Sequence, residues 1–266
     1  MQKKRIDELL VERGFVSSRT EAKRIIIEGL VLLNNSVVQK PSFPVNEEDF
    51  ILIKESKKYV SRGGIKLEFA LKEFGIDPED KISIDIGSST GGFTDCLLKS
   101  GVKKVYAVDV GKGQLDFSLR RDSRVVVLEK VNARNLSTQI IHEEADLIVI
   151  DVSFISIIKI LPALKELLKE NGLIVALVKP QFEGERGFLR KGVIKDKDLH
   201  KKILLNTLEE VSKTGFVVNQ ITYSPIKGGK GNIEFFFLMR KGGEFVNFSD
   251  VNKIVEEIWE KIGLRK

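Results

Sequence analysis

The stretch that most constrains this chain is Asp85 to Asp95, DIGSSTGGFTD, which follows the apolar run Lys81-Ile82-Ser83-Ile84. A strand that ends in an Asp and a glycine-rich turn, then enters a helix, is how doubly wound α/β folds grip an adenosine-containing cofactor. The glycines let backbone approach the ligand, and the carboxylates accept hydrogen bonds from its polar groups. A second apolar run, Val105-Tyr106-Ala107-Val108, ends in Asp109. An acid there can accept hydrogen bonds from both hydroxyls of an adenosine ribose, or serve as a helix cap or turn residue.

From Ile82 onward, strand-like runs alternate with helical patterns: Ile82–Ile86, Val105–Val108, Val125–Leu128, Leu147–Ile150, Leu173–Val178, Val217–Thr222 and Phe235–Met239. The alternation predicts an α/β fold, a Rossmann-like, seven-stranded, mostly parallel sheet with helices on both faces. A final strand running antiparallel would make it the methyltransferase-type variant. A chain of 266 residues has ample material for such a core.

Residues 1–56 read as a separate small α+β unit. Ile6, Leu9 and Leu10 share one helical face, and Gly14 is a natural stop. Ser18-Arg19-Thr20-Glu21 carries the capping-box spacing of a second helix, on which Arg19, Lys23 and Arg24 lie outward. The Asn34-Asn35 pair between apolar runs predicts a tight hairpin, because asparagine tolerates positive φ. This order resembles the S-four-type RNA-binding module. In that reading Arg19, Lys23 and Arg24 contact phosphates; residues 1–30 hold seven basic and five acidic side chains, so a solvated charged face remains the alternative. Residues 57–64 read as a linker and 65–266 as the second domain.

The loop Gly87-Ser88-Ser89-Thr90-Gly91-Gly92 departs from the dinucleotide fingerprint Gly-x-Gly-x-x-Gly, and no Gly-Lys-Ser/Thr phosphate loop is present. A serine-rich glycine turn behind an acid suits S-adenosylmethionine instead. Asp85, Gly87, Ser88, Ser89, Thr90, Gly91 and Asp109 are therefore the candidate cofactor residues. Asn132 and Ala133 join them, after the third strand, where an adenine-edge contact is expected.

Lys66, Asp151, Lys179 and Glu234 carry the case for the reaction. Asp151 and Lys179 each follow an apolar strand, Glu234 opens one, and Lys66 lies on the helix ahead of the first strand. In open α/β sheets the functional crevice lies at that edge. Two lysines and two acids there fit alkylation of a hydroxyl. A desolvated lysine near a second cation can act as a neutral base. Lys179 is the expected base, oriented by Asp151 and Glu234, with Lys66 positioning the ribose. Base methylation fits less well: Asp151-Val152-Ser153-Phe154 lacks the prolines of amine methyltransferases, and the single cysteine, Cys96, lies within a helix. No metal is expected, since the chain has one cysteine and two histidines.

The segments YVSRGGIKL, DIGSSTGGFTD, YAVDVGKGQLDFSLR, VNARNL, DVSFIS, LVKPQFE and GNIEFF, in that order, resemble the TlyA family of ribosomal-RNA 2′-O-methyltransferases, whose catalytic domain is of the FtsJ type. The resemblance implies a catalytic tetrad of Lys66, Asp151, Lys179 and Glu234, and S-adenosylmethionine as cofactor. It implies ribosomal RNA, within subunits or ribosomes, as partner, methylated at a cytidine 2′-hydroxyl in 23S and, in some members, 16S RNA. The C-terminal amphipathic segment Val251 to Ile262 fits the longer members, which act on both. Arg62, Arg186 and Lys191 are further RNA-binding candidates. The stretch Glu183 to His200 is either an RNA-gripping loop or a solvated insertion. A net charge of +6 suits a nucleic-acid partner, and the lone cysteine fits a cytoplasmic location. The N-terminus lacks the apolar segment of a signal peptide, and Leu147 to Leu168 is too broken by charge to span a membrane. No protein partner is implied. A non-catalytic ribosome-assembly factor and a haemolysin are the alternatives.

Overall fold

The computed structural model describes residues 3–54, 58–184, 193–246 and 248–263. The chain divides into two compact units, Met1–Lys58 and Tyr59–Lys266. The boundary falls inside the expected joint. Tyr59 is buried in the core of the second unit, and Gly63 and Gly64 already form the first turn of a helix there.

In the first unit, β1 (Lys4–Arg5) leads into α1 (Ile6–Glu12) and α2 (Arg19–Ile27). These are followed by β2 (Val31–Leu33), β3 (Ser36–Val37), β4 (Pro44–Val45) and β5 (Ile51–Ile53). β2 is the centre of a three-stranded antiparallel sheet with β3 and β5, and β1 pairs with β4. Asn34 and Asn35 both take positive φ, at 48° and 67°, making the tight hairpin that their side chains tolerate. At α2 the Ser18 hydroxyl accepts the Glu21 N–H, whereas Glu21 reaches back one residue further than the capping box requires, to Ser17. Ile6, Leu9, Leu10, Ile25 and Ile26 close the core beneath the sheet.

The second unit runs α3 (Gly63–Glu73), β6 (Ile82–Ile86), α4 (Gly92–Lys99), β7 (Lys104–Asp109), α5 (Phe117–Arg120), β8 (Val125–Glu129) and β9 (Ala145–Ile150). It continues with α6 (Leu161–Leu164), β10 (Leu168–Val178), α7 (Pro180–Glu183), α8 (Lys197–Lys213), β11 (Val217–Tyr223), β12 (Phe235–Arg240) and α9 (Phe248–Gly263). Its seven-stranded sheet has the order β11-β12-β10-β9-β6-β7-β8 among the described residues. All neighbours from β10 to β8 are parallel, and β12 is antiparallel to both β10 and β11. This is the Rossmann-like methyltransferase architecture.

Period-two alternation builds two separate cores. Phe235, Phe237 and Met239 of β12 enter the same cluster as Ile148, Ile150, Ala176 and Val178, under α6, α8 and α9. Phe236, Leu238, Val149, Val175 and Leu177 point the other way, under α3 and α4. Strands buried on both faces read as continuous apolar runs, which is why β9, β10 and β12 stand out in the sequence.

Candidate active site

The sheet order reverses between β6 and β9: the chain moves outward from β6 through β7 to β8, then returns to β6's other side. Ligands of open α/β sheets bind outside the carboxyl ends of the strands at such a switch point. Gly87, at the end of β6, has φ +82°, and a Cβ there would collide with the carbonyl oxygen of Asp151 at the end of β9. Only glycine allows the two strand ends this close. The Gly87 N–H donates to the Val108 carbonyl at 2.9 Å and the Asp151 N–H to that of Ile86, also at 2.9 Å.

A cleft of about 540 Å³ opens here, within the roughly 300–1,000 Å³ usual for small-molecule sites. Gly87, Ser89, Asp109, Asn132, Ala133 and Asp151 line it. Asp109 accepts the Ser89 N–H at 2.8 Å and the Gly111 N–H at 2.7 Å, one on each oxygen. Since a carboxylate has about four acceptor positions, two remain for a ligand. Asn132 uses its side-chain oxygen within its own turn, accepting from the backbone and Nε of Arg134, which leaves its amide donors.

The other candidates of the glycine loop stand back from the cleft. Ser88 is buried, and Thr90 is exposed on the turn. Gly91, at φ +96°, begins α4 and packs so closely on Leu119 that a side chain would not fit. Asp85 is fully buried behind the loop, where Oδ2 accepts the Thr94 hydroxyl at 2.6 Å and Oδ1 has no partner. Burial pushes its carboxyl up to about 7.

Lys66, Asp151, Lys179 and Glu234 meet at the same sheet edge as two ion pairs. Lys66 Nζ lies 2.5 Å from Glu234 Oε2, and the two residues are only 8% and 3% exposed. Lys179 Nζ lies 2.5 Å from Asp151 Oδ1, off the hydrogen-bonding direction, and donates to the Ser153 hydroxyl at 3.0 Å. Val178 pairs with Phe235 across β10 and β12, so Lys179 and Glu234 occupy the next positions of adjacent strands. Asp151 lies beside Lys179, whereas Glu234, expected to act on Lys179 with it, pairs with Lys66 instead, because α3 delivers Lys66 to the mouth of β12.

Several contacts at this edge escaped the sequence reading. Ser153 holds Lys179. Gly228 presses its backbone so tightly on the Glu234 carboxylate that a Cβ would clash. Glu183 of α7 accepts from the Ser156 hydroxyl at 2.5 Å and the Ile157 N–H at 3.0 Å, binding the loop after β9 to α7. Burial raises its carboxyl above the usual range. In the sequence the turn Gly228-Gly229-Lys230-Gly231, like the stretch that opens at Glu183, reads as either an RNA-gripping or a solvated loop, and neither reading points to these contacts. Cys96 is fully buried in α4 with its thiol pushed up to about 12 by desolvation, so it is no nucleophile.

The RNA-binding candidates differ in what holds them. Arg19 is half exposed and donates to Asp7 at 3.2 Å, and Asp7 also accepts from Arg5 at 2.9 Å. The Arg5 bond, then the Arg19 bond, holds the fully buried Asp7 carboxyl below its usual range despite desolvation. Lys23 and Arg24 are exposed on α2, and Arg62 is exposed ahead of α3. Arg186 and Lys191 lie outside the described residues.

Comparison with known proteins agrees with this geometry. Residues 59–241 match the FtsJ-like methyltransferase family and residues 4–51 the S4 domain. The chain is 48% identical to "Hemolysin A" of Brachyspira hyodysenteriae, over 87% of this chain and 97% of that protein. It is 40% identical to the "16S/23S rRNA (cytidine-2'-O)-methyltransferase TlyA" of Mycobacterium tuberculosis, over 89% of each chain. A solved haemolysin-type structure from Streptococcus thermophilus superposes with a TM-score of 0.76 at 39% identity, covering 100% of this chain and 98% of that one. The glycine-loop cleft and paired lysine–carboxylate edge thus sit in a chain that belongs to the FtsJ-like methyltransferases and carries an S4 domain at its N-terminus.

Proposed function

We propose that this chain transfers a methyl group from S-adenosylmethionine to the 2′-hydroxyl of a cytidine in ribosomal RNA. The observation that carries the reading is the convergence of the Lys66–Glu234 and Lys179–Asp151 pairs beside the cleft. The cleft suits the cofactor: Asp109 keeps two acceptor positions for ribose hydroxyls, and Gly87 leaves room for backbone approach. The bound cofactor supplies an electrophilic methyl group. Lys179, in its amine form, takes the proton of the attacking hydroxyl, with Asp151 and Ser153 fixing the direction of its Nζ. Lys66, anchored by Glu234, positions the ribose. General-base help of this kind is worth roughly 10²–10⁴-fold, and alignment of the reacting atoms can contribute about 7–11 kcal/mol.

The S4 domain and the rRNA-modifying relative support an RNA substrate, with Lys23, Arg24 and Arg62 contacting phosphates. Ribosomal substrate and lone cysteine both fit a cytoplasmic location. Among the described residues no helix is long and apolar enough to cross a membrane. The test is to supply labelled S-adenosylmethionine with unmodified 30S and 50S subunits, then digest the RNA to nucleosides. Label in 2′-O-methylcytidine, absent with Lys179→Ala, is the expected result. Label in a base-methylated nucleoside, or in neither subunit, would favour a different acceptor or a non-catalytic assembly factor.

A further inference from the structure

A second cavity, of about 720 Å³, opens beside the cofactor cleft and shares Phe154 and Ile155 with it. Three features of its wall are unexplained by the methyl-transfer machinery. Phe154 is 90% exposed and takes φ +65°, a left-handed conformation that an aromatic residue rarely adopts. Its ring lies 5.1 Å from that of Phe182. Gln181 is 8% exposed, yet its Oε1 is buried without a hydrogen-bond partner. Buried amide oxygens are ordinarily paired, so an unpaired one on a residue that lines a cavity marks a place where a ligand's donor belongs. Arg134 and Lys159, both exposed, stand on the same wall.

Aromatic rings, flanking cations and a side-chain amide are what a protein uses to hold an unstacked nucleotide: rings meet the base, cations meet phosphates, and the amide reads the base edge. The wall is built to hold its shape. Glu183 binds Ser156 and Ile157, which ties the loop carrying Phe154 to the helix carrying Gln181. Gln181 also follows Lys179 by two residues, so a nucleotide whose 2′-hydroxyl faces Lys179 has its base within reach of this wall.

We propose that Gln181 is a specificity residue: its buried Oε1 accepts a hydrogen bond from the exocyclic amine of the target base, selecting cytosine over uracil. The inference rests on the ribose-methylation reading and adds how the base is chosen. Uracil would set its O4 acceptor against Oε1. An amine at that position satisfies the buried oxygen, whereas a carbonyl leaves two acceptors facing each other.

The experiment uses the full-length protein and subunits in which the mapped target cytidine is kept or replaced by uridine. The wild type should methylate the cytidine form about tenfold to a hundredfold faster, the range that one good edge contact gives. Gln181→Met, which removes the acceptor but keeps the length, should bring the two rates together, mainly by slowing the cytidine form. Gln181→Glu, which keeps an acceptor, should retain the cytidine preference. Equilibrium binding of labelled S-adenosylmethionine, unchanged in both variants, shows that the fold and cleft are intact. An unchanged cytidine-to-uridine ratio in Gln181→Met refutes the proposal, as does equal methylation of both forms by the wild type. No transfer to cytidine by the wild type overturns the ribose-methylation reading itself, and this inference with it.

Discussion

Removing Lys66 should cost this protein stability as well as activity. Lys66 and Glu234 are 8% and 3% exposed and lie 2.5 Å apart, with the backbone of Gly228 packed against the carboxylate. Glu234 is left with a largely buried carboxylate once its partner is gone. Breaking a buried pair by deleting one member costs about 3–5 kcal/mol, because a charge is left uncompensated, whereas replacing both members with apolar side chains is close to neutral. Lys66→Met and Glu234→Leu should each destabilise by about that amount. The double variant should lose far less than the sum, with a coupling energy of a few kcal/mol. Urea denaturation followed through Trp259, the chain's single tryptophan, reports the second unit alone, which matters because two units need not unfold together. Methyl transfer should be lost in all three proteins. Additive losses, or a Lys66→Met cost below about 1 kcal/mol, would refute the claim that the two charges depend on each other.

Asp85 should make stability fall as pH rises. Its folded-state pKa, near 7, exceeds the ordinary value of 3.8, so the folded state holds the proton more tightly, and this stabilisation is full below pH 3.8 and lost by pH 7. The gain of Asp85→Asn over the wild type should therefore grow across that window to roughly 4 kcal/mol, at about 1.4 kcal/mol per unit. His200, buried and pushed down to about 4, acts in the opposite sense, losing stability as pH falls from 6.5 to 4. Comparison with the wild type at each pH therefore isolates Asp85, and a constant difference would contradict its assigned burial penalty. Gly87→Ala combines a strained φ with a clash against the Asp151 carbonyl; it should destabilise by about 1–3 kcal/mol or more and abolish cofactor binding, checked by calorimetry. Lys23→Gln and Arg24→Gln should each weaken RNA binding uniformly across sequences and reduce the salt slope by about one. An unchanged slope would remove α2 from the RNA interface.

What was legible in the sequence was what local chemistry determines. Asn34 and Asn35 have few uses other than a tight turn, and Gly87 and Gly91 stand where positive φ is required. The apolar runs of β9, β10 and β12 reveal strands buried on both faces. Placing Asp151, Lys179 and Glu234 at one sheet edge also needed only strand ends and a switch point, whereas Lys66 lies on a helix. Their pairing was not legible: Lys66 and Glu234 are 168 positions apart, and which lysine meets which acid depends on where α3 crosses the sheet. Asp85 reads as a strand-end acceptor for the cofactor, yet strand parity turns it inward under Thr94. Arg19 looked like a free phosphate contact, but a buried acid on α1, twelve residues earlier, engages it. Ser153, Gln181 and Glu183 gain their meaning only from the closing of the β9 loop onto α7.

The most direct test of the central claim is the single-turnover rate of methyl transfer to unmodified subunits by the wild type and Lys179→Ala, with cofactor affinity measured in parallel. The account predicts a fall of roughly 10²–10⁴-fold in the transfer step at unchanged cofactor affinity, because Lys179 handles the hydroxyl proton and does not line the cofactor cleft. A rate within a few-fold of the wild type would contradict it and assign the proton to another group.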